Sequence, residues 1–287
     1  MASPYTNTKR STGTMRPGKH KRLRAGLLAL TLVVSLAAAY TALKPDPAGK
    51  VSAHVEPHPH GSPAELTDPA TFMAAYLAVN CGPMLLEGTR TIRISGTVER
   101  EHGRQAFHLM KKRPDRMRFT IDRGSHEMTV GVDGDSVWRR LRAPVHSDIV
   151  DTLVGPEAAA WKKLSRFFDR IIGAHLGEGR LLGIDRAAWE GRDCLEVRTE
   201  DADGARASTF VDLRTLHPLA EQETLPDGRL KQTILSDYRA IDGMPIPFAA
   251  ETRLDGTLES RVRIESAQLN SGILSELFER PEDPPDF

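Results

Sequence analysis

The most informative stretch of the chain is residues 230–278, LKQTILSDYRAIDGMPIPFAAETRLDGTLESRVRIESAQLNSGILSELF. Within it, positions 258, 260, 262, 264 and 266 are apolar or small, whereas 259, 261, 263 and 265 are charged. A period of two is the period of a β-strand, and this pattern is typical of a sheet with one covered and one wet face. Asp255-Gly256 precedes the strand and supplies the positive φ angles of a tight hairpin turn. We therefore predict three antiparallel strands and then a short helix capped by Asn270.

The same Asp-Gly pair recurs at 133, 203, 227 and 242, each time between alternating runs, which predicts an antiparallel meander. Asp68-Pro69 is a helix N-cap followed by proline at the first helical position, so an N-terminal helix is expected there. After Pro144 we predict a short helix around Ile149 to Leu153, and then a longer helix over 156–176. The fold class is α+β, mainly antiparallel β, with about ten or eleven strands; a sheet of this length tends to curl.

Several short motifs resemble the outer-membrane lipoprotein-sorting family, the family of LolA and LolB. They are DYR…DGMPIP at 237–247, LN…I at 269–273, LFERP at 277–281, GRDCLEV at 191–197 and FVDLRTLHP at 210–218. The resemblance covers roughly residues 68–281. It implies a strongly curved half-open barrel covered by helices and lined with apolar residues. It also implies the binding of lipid or lipoprotein acyl chains.

The N-terminal region predicts export. Residues 1–24 contain seven Lys or Arg and no Asp or Glu, and 25–43 are 19 residues without a charge. The basic segment is expected on the cytoplasmic side. Residues 25–43 form either an inner-membrane anchor or a signal peptide cleaved near Ala37-Ala38-Ala39. We assign 44–67 to a disordered linker, 68–281 to a lipid-binding domain and 282–287 to a tail, and expect a periplasmic location, anchored or soluble.

Composition and motifs exclude several classes of function. The 39 basic and 39 acidic residues balance, so nucleic acid is not an expected partner. The sequence has no nucleophile-elbow, zinc-protease or phosphate-loop motif, so we predict no catalytic residues, no enzyme and no cofactor. His54, His58 and His60 are interpreted as a solvated tract, and no metal site is expected. Whether Cys81 and Cys194 pair stays open.

The alternating strands supply the candidate ligand-binding residues. They are expected to line an apolar cavity for acyl chains, although a closed core explains the same pattern. These residues are Ile92, Ile94, Phe107, Met117, Phe119, Val130, Ile234, Val262 and Ile264.

The helix predicted over 156–176 carries a broad apolar stripe and interrupts the meander midway. We predict that it is a lid over the cavity, with a static core helix as the alternative. The lid residues are Trp161, Leu164, Phe168 and Ile171.

The basic run from Lys111 to Arg118 has two interpretations, a patch for anionic lipid head groups or a solvated strand face. Taken together, the sequence predicts a non-catalytic periplasmic binding protein for lipid or lipoprotein acyl chains, acting in lipoprotein sorting or lipid transport. The alternative is a membrane-tethered envelope-stress sensor or scaffold that binds lipoprotein and signals to an envelope partner protein.

Overall fold

A computed structural model describes residues 65–101, 103–144 and 146–282. Four α-helices are present in this part of the chain: α1 Pro69–Asn80, α2 Gly82–Gly88, α3 Gly155–Ser165 and α4 Arg170–His175. Two 3-10 helices, Glu65–Thr67 and Ser275–Phe278, flank the domain. The strands are β1 Thr91–Arg100, β2 Gly103–Lys112, β3 Arg116–Asp122, β4 Glu127–Asp133, β5 Ser136–Ala143, β6 His146–Thr152, β7 Gly179–Trp189, β8 Arg192–Asp201, β9 Arg206–Asp212, β10 Pro218–Thr224, β11 Leu230–Ile241, β12 Met244–Leu254 and β13 Thr257–Leu269.

All thirteen strands form one antiparallel sheet in the order β6-β5-β4-β3-β2-β1-β13-β12-β11-β10-β9-β8-β7. All consecutive strands pair with each other except β6 and β7. The first and last strands, β1 and β13, pair in the middle of the sheet, while β6 and β7 are its two edges. The result is the curved, half-open barrel of mainly antiparallel strands that the sequence predicts. Since α3 and α4 lie in the connection between the two edges, they cross the open side of the sheet.

The strand count is higher than predicted in part because the segment around Ile149 is not a helix. It forms the edge strand β6, in which Ile149 pairs with Leu141 and Val150 with Arg140 of β5. The helix predicted over 156–176 is likewise divided into α3 and α4. Asp169 makes the break, because its side chain accepts hydrogen bonds from the backbone N–H groups at the start of α4. A new N-cap of this kind begins a second helix.

The turns follow the sequence closely. All five Asp-Gly pairs lie in hairpin connections, and Asp242 and Asp255 each have a φ of 48°. The two prolines of β12, Pro245 and Pro247, pair with β11 only, because the ladder with β13 begins at Ala249. Their missing N–H groups therefore interrupt no bond to β13.

The two ends of the domain differ from the sequence prediction. Asp68 caps α1 as predicted, accepting from the N–H of Thr71. Glu65–Thr67, assigned to the linker, is a 3-10 helix with Leu66 buried. Asn270 caps no helix; its Oδ1 instead accepts from the N–H of Arg90 at 2.8 Å. The predicted segments 1–24 and 25–43, and the histidine tract, lie outside the described residues.

Within the described residues, no single helix is long and apolar enough to cross a membrane. The pair α1 and α2 reaches that length and composition only together, with a bend of 71° between them.

The core lies between the concave face of the sheet and the helices. It joins the inward side chains of β1 to β5 with those of α1, α3 and α4. A smaller cluster on the convex face contains Cys194, Phe210, Leu219 and Ala220. Because Cys81 belongs to the main core and Cys194 to the convex cluster, the two thiols are on opposite sides of the sheet and are not bonded.

Two glycines allow the sheet to pack as it does. Gly96 follows a register shift between β1 and β13, where an added Cβ would overlap the carbonyl oxygen of Arg263. Gly131 lies under the indole of Trp138, which packs on the outer face and donates from Nε1 to the carbonyl of Phe278 at 2.8 Å. Neither site accepts a methyl group without a shift of its neighbour.

We expect Gly96→Ala to lower the free energy of unfolding by about 1–3 kcal/mol, because the clash is with backbone and not with a flexible side chain. Gly88→Ala, with no atom within 4 Å of the new methyl group, is the matched control and is expected to change stability by less than about 0.5 kcal/mol. Urea denaturation measures both. Equal stabilities for the two variants would contradict the register shift at Gly96.

Candidate functional site

The helices α3 and α4, with residues 166–169 between them, are called the helical cover below. All four predicted lid residues point into the core: Trp161 and Ile171 are 1% exposed, Leu164 2% and Phe168 6%. The Trp161 ring lies 6.0 Å from that of Phe119, centroid to centroid, and Phe119 lies 6.0 Å from Phe107. The cover therefore contacts the concave face through a continuous line of aromatic rings.

The structure brings eight of the nine predicted cavity residues together on this face. Ile92, Ile94, Phe107, Met117, Phe119, Val130, Val262 and Ile264 all belong to the main core. Ile234 is separated from them and packs with the convex cluster. The buried positions of β11 are Lys231, Thr233 and Leu235, so the inward side of this strand is polar at two of its three buried positions.

The space beneath the cover is small in this conformation. A cavity of about 30 Å³ lies between the cover and β10–β11, which is room for about two water molecules. Its lining is mostly charged and includes Arg166, Asp169, Arg170, Glu178 and Glu221. An acyl chain has no room on the concave face unless the apolar side chains of the cover move away from it.

A buried group of charges fixes the cover to the far half of the sheet. Arg170 of α4 donates to three carboxylates: Asp201 at 2.7 Å, Glu221 at 2.9 Å and Glu223 at 2.7 Å. We call this group the ionic clamp. It consists of Lys163, Arg166 and Arg170 from the cover, with Asp201, Glu221, Glu223 and Lys231 from β8, β10 and β11.

Glu223 shows how strongly the ionic clamp favours its charged form. Burial alone would raise the pKa of this carboxyl group, but Lys231, Lys163 and Arg170 outweigh burial and lower the pKa to about 2. Of the cationic residues of the cover, Lys163, Arg166 and Arg170 belong to the clamp, whereas Lys162 pairs at the surface with Asp135.

A second polar contact connects the cover to α1. Asp169 Oδ2 accepts from Tyr76 Oη at 3.0 Å, and Oδ1 accepts from the N–H groups of Ile171 and Ile172 at 2.8 Å each. Burial raises the pKa of Asp169 to about 6 despite these hydrogen bonds. Burial also raises the pKa of Tyr76 well above its usual value. The contact thus combines a fixed helix cap with a carboxyl group that is costly to ionise.

The basic run has neither of the two predicted roles. Lys111 points inward, is fully buried and donates to the carbonyl of Arg166 in the cover. Lys112 donates to Ile273 O and Ser275 Oγ, and Arg118 to Leu277 O, so these two hold the C-terminal segment against the sheet. Arg113 donates to Leu86 O of α2 and Arg116 pairs with Asp133 of β4, so the cationic groups of the run are bound within the domain.

Part of this site was detectable in the sequence. The cavity residues follow from period-two alternation, because each lies beside a charged or polar neighbour. The ionic clamp was missed because its members are up to 68 residues apart, from Lys163 to Lys231, and no local spacing connects them. The sequence signal that could have indicated the clamp was the presence of charged residues at inward positions of β10 and β11.

Comparison with known proteins supports the fold. No protein-family model matches the chain, and no curated protein matches it. Among solved structures, a DUF1329 family protein from Desulfovibrio piger has 14% identity and a TM-score of 0.51, covering 74% of this chain and 95% of its own. A LolA superfamily protein from Nitrosomonas europaea has 13% identity and a TM-score of 0.50, covering 73% and 97%. The domain therefore has a LolA-like fold.

We expect Asp169→Asn to stabilise the protein at neutral pH. The pKa of the wild-type carboxyl group is about 6 when folded and near 4 when unfolded, so the folded state binds the proton more tightly. The stability that the protonated Asp169 contributes is therefore lost as the pH rises from about 4 to about 6. The amide keeps the helix cap and the contact with Tyr76 but carries no charge, so the variant gains up to about 3 kcal/mol at pH 7 and nothing at pH 4.

Urea denaturation between pH 4 and pH 8 measures this difference. Asp203→Asn, in an exposed turn, is the control and should shift stability little at any pH. A stability difference between wild type and Asp169→Asn that is the same at pH 4 and pH 7 would contradict the raised pKa.

Proposed function

We propose that this chain is a non-catalytic periplasmic binding protein that takes lipid or lipoprotein acyl chains onto its concave face, in lipoprotein sorting or lipid transport. The observation that carries the proposal is the match between two apolar surfaces. The inward side chains of β1 to β4 and β13 are covered by Trp161, Leu164, Phe168 and Ile171 of the cover, which occupy the position that an acyl chain would take.

The energetic argument is one of exchange. Burying an acyl chain is favourable by about 0.8 kcal/mol per CH₂. Moving the cover away exposes its own apolar side chains, which opposes binding by a similar free energy per unit area. Uptake is therefore favourable when the acyl chain buries more apolar surface than the cover gives up. No reactive group is required for such a process.

The attachment of the cover supports motion of one helix more than the other. α4 is held by the buried Arg170, whose side chain is 8% exposed and binds three carboxylates. On α3, Lys163 reaches Asp201 at 3.4 Å and Glu223 at 3.2 Å, whereas the pairs of Glu157 with Arg139 and of Lys162 with Asp135 have well exposed carboxylates. Exposed ion pairs contribute little to stability. We propose that α3 moves away from the sheet, giving up the two contacts of Lys163, while α4 stays in place.

The backbone between and before the two helices permits this motion. Residues 166–169 are not helical, so α3 can rotate without breaking helical hydrogen bonds in α4. Gly155, the first residue of α3, has a φ of 65°, a conformation that favours glycine. The LolA-like fold and the predicted export segment at 25–43 are consistent with a carrier or a tethered receptor in the periplasm. N-terminal sequencing of the mature protein decides between the two, because a tethered receptor keeps residues 25–43 and a soluble carrier has lost them.

We expect Phe119→Glu to weaken uptake of a fluorescent fatty acid at least tenfold, because it places a charge where the acyl chain would lie. Leu258→Glu introduces the same charge at an exposed position, 43% accessible, and should bind as the wild type does. Fluorescence titration measures both, with circular dichroism to check folding. Unchanged uptake by folded Phe119→Glu would rule out this face as the binding site.

Motion of α3 has its own measurable effect. Saturating fatty acid should shift the emission of Trp161 to longer wavelength and make it more accessible to iodide, because the indole leaves the aromatic line. Trp161→Phe, which retains Trp138 and Trp189, is the control in which the shift should disappear. If lipid binds without either change, α3 is static and the lid hypothesis fails. A stable protein partner purified without lipid would favour the sensor alternative.

A further inference from the structure

A second concavity, of about 510 Å³, lies away from the helical cover. It is found where the turn between β7 and β8 meets the loop between β9 and β10, and the N–H of Leu213 donates to the carbonyl of Asp193 across this junction. We call it the arginine groove. Its lining residues are Arg186, Arg192, Asp193, Asp212, Leu213 and Arg214.

Three separate elements deliver the arginines to this groove. Arg186 lies in β7 opposite Leu195, whose side chain faces the main core. Arg192 begins β8 and lies opposite Trp189, which packs with the convex cluster. Arg214 comes from the loop after β9. Because the first two belong to opposite faces of the same hairpin, they reach the groove from both sides of the sheet edge.

The three guanidinium groups have their donors free. Within the part of the chain that the structure describes, none of them forms an ion pair or a side-chain hydrogen bond. This contrasts with Arg139, Arg140 and Arg170, each of which binds at least one carboxylate. Arg186, Arg192 and Arg214 are also exposed, so an incoming ligand meets them without displacing a partner.

The two acids in the lining do not neutralise the arginines. Asp212 is 7% exposed, and its Oδ1 accepts from the N–H groups of Arg214 and Thr215 and from the Thr215 hydroxyl. Asp193 is exposed and remains the one carboxylate facing solvent. Three arginines against two aspartates leave the lining with a net charge of +1.

We propose that the arginine groove binds a phosphate group. Planar guanidinium groups donate in pairs to phosphate oxygens, and three of them can surround one phosphate. The volume falls within the range of sites for small molecules. Resting on the proposed function, the phosphate is that of a phospholipid head group, bound at a site distinct from the acyl-binding face. A soluble phosphate compound shares this chemistry.

The first experiment uses inorganic phosphate as the probe and the full chain, with calorimetry as the measurement. The combined variant Arg186→Gln, Arg192→Gln and Arg214→Gln should lose at least tenfold in affinity. The control is Arg90→Gln, Arg93→Gln and Arg263→Gln, which removes the same charge from three exposed arginines outside the groove. It should lose less than twofold. Asp193→Asn should bind phosphate several times more tightly, because it removes the opposing charge.

A second arm identifies the source of the phosphate. Short-chain phosphatidylglycerol is compared with short-chain diacylglycerol, which lacks the phosphate. If the groove variant weakens the binding of phosphatidylglycerol and leaves the binding of diacylglycerol unchanged, the lipid assignment holds. Binding of inorganic phosphate without phosphatidylglycerol keeps the phosphate site and assigns it to a soluble compound.

Three results would overturn the site itself: no binding of phosphate by the wild type, equal loss in the control variant, or unchanged binding in the groove variant. These outcomes are independent of fatty-acid uptake. If the groove fails as a phosphate site but the chain takes up fatty acid normally, the proposed function stands. Phosphate binding with no uptake leaves the groove intact and removes the proposed function.

Discussion

The interaction on which the placement of the helical cover depends is the binding of Arg170 to three carboxylates from two strands. Asp201 ends β8, and Glu221 and Glu223 lie in β10, so a single guanidinium group brings these strands and α4 together. Removing charges from water is costly, and a buried ion pair is weak evidence for stability. Its effect here is geometric. Without Arg170 three carboxylates would face one another with only lysines and Arg166 to balance them, whereas with it α4 has one position on the sheet.

The ionic clamp also divides the concave face into two unlike halves. The half formed by β1 to β5 is apolar and is met by Trp161 and Leu164 of α3. The half formed by β8, β10 and β11 carries the clamp residues Asp201, Glu221, Glu223 and Lys231, and it is met by Arg170 of α4 and by Lys163 at the end of α3. Because the cover is bound electrostatically on one side and by apolar contacts on the other, a lipid affects its two sides differently. An acyl chain competes for the apolar contacts alone, because it offers nothing to the carboxylates.

The sequence predicts the fold well where local chemistry decides structure. Hairpin turns follow from Asp-Gly pairs, the first helix from Asp68-Pro69, and the apolar face of β1 to β4 from alternation. Prediction fails where long-range pairing decides. The apolar spacing around Ile149 fits a helix or a strand, and only the ladder with β5 selects the strand.

Ile234 was assigned to the wrong face of β11 for a related reason. Alternation identifies which residues share a face, but polarity has to identify which face is inside. In β11 two of the three buried positions are polar, Lys231 and Thr233, and the third, Leu235, is as apolar as Ile234, so polarity does not identify the inward face. The same failure of polarity hides the ionic clamp. A polar site on a concave face cannot be found from a rule that equates inside with apolar, because its members are paired only after the sheet has formed.

Glu223 in the clamp and Asp169 at the contact with α1 respond differently to pH. Glu223 has a pKa of about 2 and stays charged from mildly acidic to neutral pH, so the clamp does not release in that range. Asp169, with a pKa of about 6, gains a proton as pH falls and is then more favourably buried. His217 acts in the opposite direction, because burial lowers its pKa to about 4 and acid favours its exposure between pH 6.5 and pH 4. Over this interval the two groups offset each other, since one binds a proton on folding and the other releases one. The charge at the start of α4 therefore changes while these two contributions to stability oppose each other.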